Sequence, residues 1–285
     1  MACSCADVRL TGSHAAGTLE PTGCFRSRGP VGLETQEDHS KADGKVTYCL
    51  GMSLASGLVL MADTRTNAGV DNFSTFRKLH VLREGEGRQI YAATAGNLSL
   101  GQEAIGLVRE RLATLEEAPT MFAIARIVGE AVAEVGKTTG AALERAHFDN
   151  TLEMLLGGRI GDGPLKLFLI YTIGNFIECK NDVPFLQIGE TKYGRPILDR
   201  ALNYETPLAE AVKIGFLSFD STMESNLGVA HPIDLLVLPS DGGHPHLRRI
   251  EEDDDYYRQI TGGWSKILKN GVMSLPGPPW LTGVD

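Results

Sequence analysis

The chain has 285 residues, 42% apolar and 22% charged, which suits one large domain or two small ones with a substantial core. Its formal net charge of −9 argues against binding to nucleic acid or anionic membranes, both of which need clustered Lys and Arg. No apolar run approaches the roughly 20 residues that span a bilayer, and residues 1–46 lack the apolar stretch of a signal peptide, so a cytoplasmic location is expected.

Residues 1–46 are rich in Gly, Ser, Thr, Pro and charge and have almost no periodicity. They read either as a disordered extension or as a misassigned start, with Val46 as the alternative initiator. Regular patterning begins at Thr47. The runs TYCLGMSL and GLVLMAD are short strands around a turn at Ala55-Ser56-Gly57, and RTNAGV and TFRKLHVL flank a second turn at GVDN. RQIYAATAG adds a strand. Helical spacing then runs from Leu98 to Ala113 and from Met121 to His147. Strands return as TLEMLLGGRIG, PLKLFLIYTIG and FLQIGE. Helices follow over Arg195 to Leu202 and Pro207 to Phe219, then a buried strand PIDLLVLP and a last helix from Asp253 to Lys269. Strand block, helices, strand block, helices is the order of an α+β fold in which two stacked sheets are covered by helices on both outer faces, a four-layer αββα sandwich. The domain is read as 47–272, with 273–285 as a tail.

Hairpin arithmetic brings chemistry together. A first turn centred on Ala55 pairs residues whose numbers sum to about 110, so Thr47 faces Asp63. A second centred between Val70 and Asp71 pairs residues summing to about 141, so Asp63 faces Lys78. Strand alternation adds Arg65 to the face of Asp63. The same four residues also suit a solvated sheet rim with exposed ion pairs. A threonine hydroxyl becomes a nucleophile when a base takes its proton, and an α-amino group, with a pKa of about 7.7–8.0, can do so if Thr47 is the first residue. Lys78 would then favour the deprotonated hydroxyl and the neutral amine, and Asp63 would hold Lys78.

The segments DTRTNAG, STFRKLH and YAATAGNLS, together with IGETKYGRPILDRAL and SFDSTMESNLGVAHPIDLLVL, resemble the bacterial ancestral β-subunit family, Anbu, within the proteasome-type N-terminal nucleophile hydrolases. The resemblance implies that Thr47 is the nucleophile, Asp63 and Lys78 its activating pair and Arg65 the neighbouring arginine. It implies that the Gly96 N–H binds the oxyanion, at a helix N-terminus that suits negative charge. Asp220 and Ser225 match the pair that supports the terminal amine, with three more residues between them than the family pattern has. It implies a threonine peptidase acting on peptides or unfolded protein, in a homo-oligomeric ring or open helical assembly. A separate ATPase would be needed to open folded substrates. A non-proteolytic amidase, or a silent ring-forming subunit if Thr47 stays capped, are the other functional readings.

No cofactor or metal is expected. GKT in VGKTTG lacks the first P-loop glycine and lies in a helical pattern, and His244 and His246 lack further ligands, so GGHPHLRR reads as a loop. The five cysteines, Cys3, Cys5, Cys24, Cys49 and Cys179, show no paired spacing and read as idle thiols.

Overall fold

The computed structural model describes residues 47–67, 73–115 and 120–281. The extension before Thr47 and the tip of the second hairpin lie outside the described residues.

Four strands open the fold: β1 (Tyr48–Leu54), β2 (Gly57–Asp63), and the short β3 (Arg65–Asn67) and β4 (Phe73–Thr75). β5 (Leu79–Gly85) and β6 (Arg88–Gly96) follow, then helices α1 (Leu98–Ala113) and α2 (Met121–Val135), the latter continued by a wider turn over Gly136–Gly140 into α3 (Ala141–Arg145). The second block comprises β7 (Leu152–Ile160), β8 (Lys166–Ile170), β9 (Phe176–Glu178) and β10 (Phe185–Gly189). It ends with α4 (Arg195–Ala201), α5 (Leu208–Met223), β11 (Ile233–Pro239), β12 (His246–Ile250) and α6 (Asp255–Ser274).

Among the described residues the strands form a five-stranded sheet ordered β10-β1-β2-β11-β12, another ordered β5-β6-β7-β8-β9, and the small β3-β4 pair. Period-2 alternation divides the apolar side chains between layers. Cys49, Leu58, Leu60 and Ala62 meet Tyr91, Ala93, Leu155 and Leu167 between the sheets. Tyr48, Leu50, Met52 and Met61 turn outward to Phe216 and Phe219 of α5 and Tyr257 of α6. Ile90, Met154 and Phe168 pack under Val108 of α1 and Val128 of α2. The expected αββα sandwich is therefore the fold.

Three local readings need correction. The loop read over GGHPHLRR contains β12, which pairs with β11 as an edge strand. The run PLKLFLIYTIG is only β8, after which the chain turns back as β9. The last helix, read as Asp253 to Lys269, runs from Asp255 to Ser274; its N-cap is Asp254, which accepts from Tyr257 N at 2.9 Å. Among the described residues no helix is long and apolar enough to cross a membrane.

Leu60 is fully buried between the sheets. Leu60→Ala is expected to cost about 2–5 kcal/mol, whereas Gln102→Ala, at an exposed position of α1, is expected to stay within about 0.5 kcal/mol. Urea unfolding with an unchanged m-value checks both.

Candidate active site

Antiparallel pairing puts the start of β1 and the end of β2 at one end of their sheet, and the start of β5 and the end of β6 at one end of the other. Two contacts join those two ends, and a third ties their partners on the second sheet to each other. Lys78 Nζ, just before β5, donates to Asp63 Oδ1 at 2.9 Å, Thr94 N donates to Lys78 O at 3.0 Å, and Cys49 Sγ lies 3.5 Å from Thr94 O. Thr47, Asp63, Arg65, Lys78 and Gly96 therefore share one rim of the sandwich.

The hairpin registers that led to this set are each one residue off. Observed pairs in the first hairpin, such as Cys49↔Ala62 and Leu54↔Gly57, sum to 111, so Tyr48 rather than Thr47 comes level with Asp63. Gly57 belongs to β2, not to the turn: a Cβ there would lie 2.3 Å from Leu238 O, so the glycine serves the close approach of β11. In the second hairpin Arg65↔Thr75 sums to 140, and Lys78 sits beyond β4 in the link to β5. It reaches Asp63 from that link through its long side chain.

Asp63 is wholly buried and its oxygens are engaged. Oδ1 accepts from Tyr48 N at 3.0 Å as well as from Lys78, and Oδ2 accepts from Arg65 N at 3.1 Å. Lys78, also buried, donates in addition to Arg65 O. Burial pushes the Asp63 carboxyl up to about 6, against the opposing pull of the Lys78 charge and these hydrogen bonds. The Arg65 guanidinium donates to Leu227 O at 2.8 Å, while its backbone N–H and carbonyl meet the ion pair.

Thr47 is buried, and its carbonyl accepts from Glu190 N at 2.7 Å. Gly189 (φ +80) lies so close that a Cβ would stand 2.0 Å from Thr47 O and 3.5 Å from Thr47 Cβ, which restricts that position to glycine. The buried Glu190 accepts from Lys192 N at 3.0 Å and from Asn226 Nδ2 at 3.1 Å. Gly96, with φ +106, ends β6 where a Cβ would meet Thr151 O at 2.3 Å, and Asn97 N donates to that same carbonyl at 2.8 Å. Asn97 caps α1, accepting from Ser99 N and Leu100 N.

Asp220 and Ser225 lie near the end of α5. Asp220 is half-buried, its carboxyl raised by burial and by Glu224, and it acts in turn on Tyr257; Ser225 is exposed and donates its N–H to Thr222 O at 3.1 Å. Glu190 links the Thr47 strand end to Asn226. Sequence reading missed Gly189, Glu190 and Asn226. The only local signal was a glycine followed by an acid closing an otherwise apolar strand, FLQIGE.

Among the described residues no group of three or more His, Cys, Asp or Glu is placed to hold a metal ion. Cys49 and Cys179 are buried free thiols, and burial raises both.

A sandwich of two antiparallel sheets between helix layers, with a threonine, an aspartate–lysine pair and a helix-leading glycine on one rim, defines an N-terminal nucleophile hydrolase fold. Residues 45–238 match the model of the proteasome subunit family. A solved structure described as the helical assembly of the Anbu complex from Pseudomonas aeruginosa is 41% identical, with a TM-score of 0.77, covering 83% of this chain and 100% of that one. Anbu (ancestral beta-subunit) from Yersinia bercovieri is 40% identical, with a TM-score of 0.75, covering 81% and 99%. A mutant Anbu from Hyphomicrobium sp. strain MC1 is 39% identical, with the same TM-score and coverage. None of the curated proteins compared with the chain matches it. The chain belongs to the proteasome subunit family, among its Anbu, or ancestral β-subunit, members.

The folded state holds the Asp63 proton more tightly than the unfolded chain, whose aspartate titrates near 3.8. The stability this group contributes is therefore complete below about pH 4 and is lost as pH rises through about 6. Infrared difference spectra are expected to lose one protonated-carboxyl band near pH 6, and Asp63→Asn to lack that step. Gly189→Ala is expected to lower stability by about 1–3 kcal/mol, measured by urea unfolding.

Proposed function

We propose that the chain is a threonine peptidase whose working form begins at Thr47 and cleaves peptide bonds through an acyl-enzyme. The observation that carries this reading is the buried Lys78–Asp63 ion pair on the rim that holds Thr47. A desolvated pair of this kind is weak evidence for stability and characteristic of functional sites.

In the mechanism, the Thr47 hydroxyl attacks the substrate carbonyl while its proton passes to the free α-amine. That amine exists only when Thr47 is the first residue; bonded to Val46, the nitrogen is an amide and has no basic lone pair. The Lys78 ammonium stabilises the developing alkoxide and keeps the neighbouring amine neutral, and Asp63 holds Lys78 through the hydrogen bond described above. The Gly96 N–H, leading into α1, stabilises the tetrahedral oxyanion. Collapse breaks the C–N bond, the amine returns its proton to the leaving group, and water hydrolyses the remaining ester to regenerate Thr47. Asp220 and Ser225 as supports of the terminal amine have less geometric backing than Glu190 and Asn226, whose chain of contacts ends on Thr47 O.

The assembly we propose is homo-oligomeric, a ring or an open helix, with substrate restricted to peptides or unfolded segments and a separate ATPase needed for folded proteins. The helical assembly reported for the Pseudomonas aeruginosa complex supports this. So does the exposed apolar surface on α6 and beyond it at Ile267, Leu268, Val272, Met273 and Leu275. A cytoplasmic location accompanies this reading.

In protein beginning at Thr47, the substitutions Thr47→Ala, Asp63→Asn and Lys78→Met are each expected to reduce reporter-peptide hydrolysis at least about 100-fold. Circular dichroism should still report a folded subunit. Near-normal turnover in Lys78→Met would overturn the mechanism. Intact mass of protein from its native genome is expected to show a chain starting at Thr47, and a dominant species retaining residues 1–46 would contradict the proposed working form. Light scattering is expected to give a particle well above dimer size, and a fully active monomer would contradict the assembly.

A further inference from the structure

β5 and β12 are edge strands of the two large sheets, and between them and α1 opens a cleft of about 310 Å³. Its charged and titratable lining is Arg77, His80, Arg109, Asp234, Arg248 and Arg249. Four guanidiniums thus line the cleft beside the Asp234 carboxylate, with Asp254 paired to Arg248, on a chain whose net charge is −9.

The guanidiniums are held, and they keep donors to spare. Arg249 forks onto Asp234 through Nε at 2.8 Å and Nη2 at 3.0 Å. Arg248 Nη2 donates to Asp254 at 2.7 Å. Arg109 Nε and Nη2 both donate to Val81 O, at 3.3 and 3.0 Å. Each guanidinium has five N–H groups in a fixed plane, so these contacts orient the cations without exhausting them. Arg77 is exposed and makes no ion pair among the described residues. His80 is half-buried, and burial together with the Arg109 and Arg77 charges holds its ring down to about 4, so it is neutral near pH 7 and adds no repulsion.

We propose that this cleft binds a small, multiply charged anion bearing phosphate or carboxylate groups. Arg77 and the spare N–H groups of Arg109, Arg248 and Arg249 grip it. Planar guanidiniums match both oxyanions bidentately. The volume lies at the lower end of the roughly 300–1,000 Å³ of small-molecule sites, which suits a compact ligand rather than a dinucleotide. The ligand touches segments that carry the active-site pair: Arg77 directly precedes Lys78, and Asp234 pairs with Ala62, next to Asp63. Nothing in the proposal requires peptidase activity.

The test is calorimetric titration of the full-length chain with tripolyphosphate and, separately, with citrate at moderate salt. Saturable binding with one site per chain is expected for at least one of them, and which one binds identifies the phosphate or the carboxylate as the recognised group. Arg77→Gln, at an exposed position that leaves the fold intact, is expected to weaken binding at least about 10-fold. Saturation should raise the His80 pKa, followed by NMR of isotopically labelled histidine, because an anion replaces cation repulsion with attraction. Absence of saturation with both anions would overturn the proposal. So would saturable binding that neither Arg77→Gln nor Arg248→Gln weakens, or a His80 titration that ligand leaves unmoved.

Discussion

Taking an ammonium and a carboxylate out of water costs several kcal/mol for each ion, and the Lys78–Asp63 pair recovers that only through the contacts around it. Tyr48 N from β1 and Arg65 N from β3 donate to the carboxylate, while the ammonium donates to Arg65 O as well as to Asp63. These bonds join β1, β2, β3 and the link into β5 at one point. They fix how the two sheets meet at the rim, beyond what the non-directional apolar layer of Leu58, Leu60 and Tyr91 can specify. Thr47 is set one residue ahead of Tyr48, so its position follows from the same constraint.

The layering of the sandwich also decides where different chemistries sit. Helices cover the two outer faces and apolar side chains fill the space between sheets, leaving strand ends and sheet edges for polar groups. The strand ends carry Thr47, Asp63, Lys78 and the glycine at the start of α1. The edge strands β5 and β12 carry His80, Arg248 and Arg249, with Arg77 just ahead of β5. Burial separates the two sets: the first holds charges nearly sealed from solvent, the second presents cations across an open cleft.

Much of this was legible in the residues, because alternation in β1 and β2 and helical spacing in α1 and α2 are local signals. The site was legible by a fortunate route. Both predicted registers were one residue off, and Lys78 still met Asp63, since its side chain spans the error from a link that no pairing rule governs. Glu190 and Asn226 were out of reach, because their meeting depends on the β1–β10 register and on the loop after α5, separated by 36 residues of chain. Asp220 and Ser225 came from a positional match across a segment whose spacing differs, and burial together with the Glu224 charge raises the Asp220 carboxyl. β12 was hidden because HPHLRR has little apolar alternation; an edge strand with few buried side chains leaves no periodic trace.

The central claim is that Thr47 becomes a nucleophile only when its own amine is free. It is tested most directly by treating the protein with a peptide electrophile that bonds both a hydroxyl and an adjacent amine, then mapping the adduct by mass spectrometry. The account requires one adduct per active chain, on Thr47, in protein that begins there, and none in protein that retains Val46. Labelling of the longer form at equal rate, or a free Thr47 that stays unmodified while another residue reacts, would contradict it.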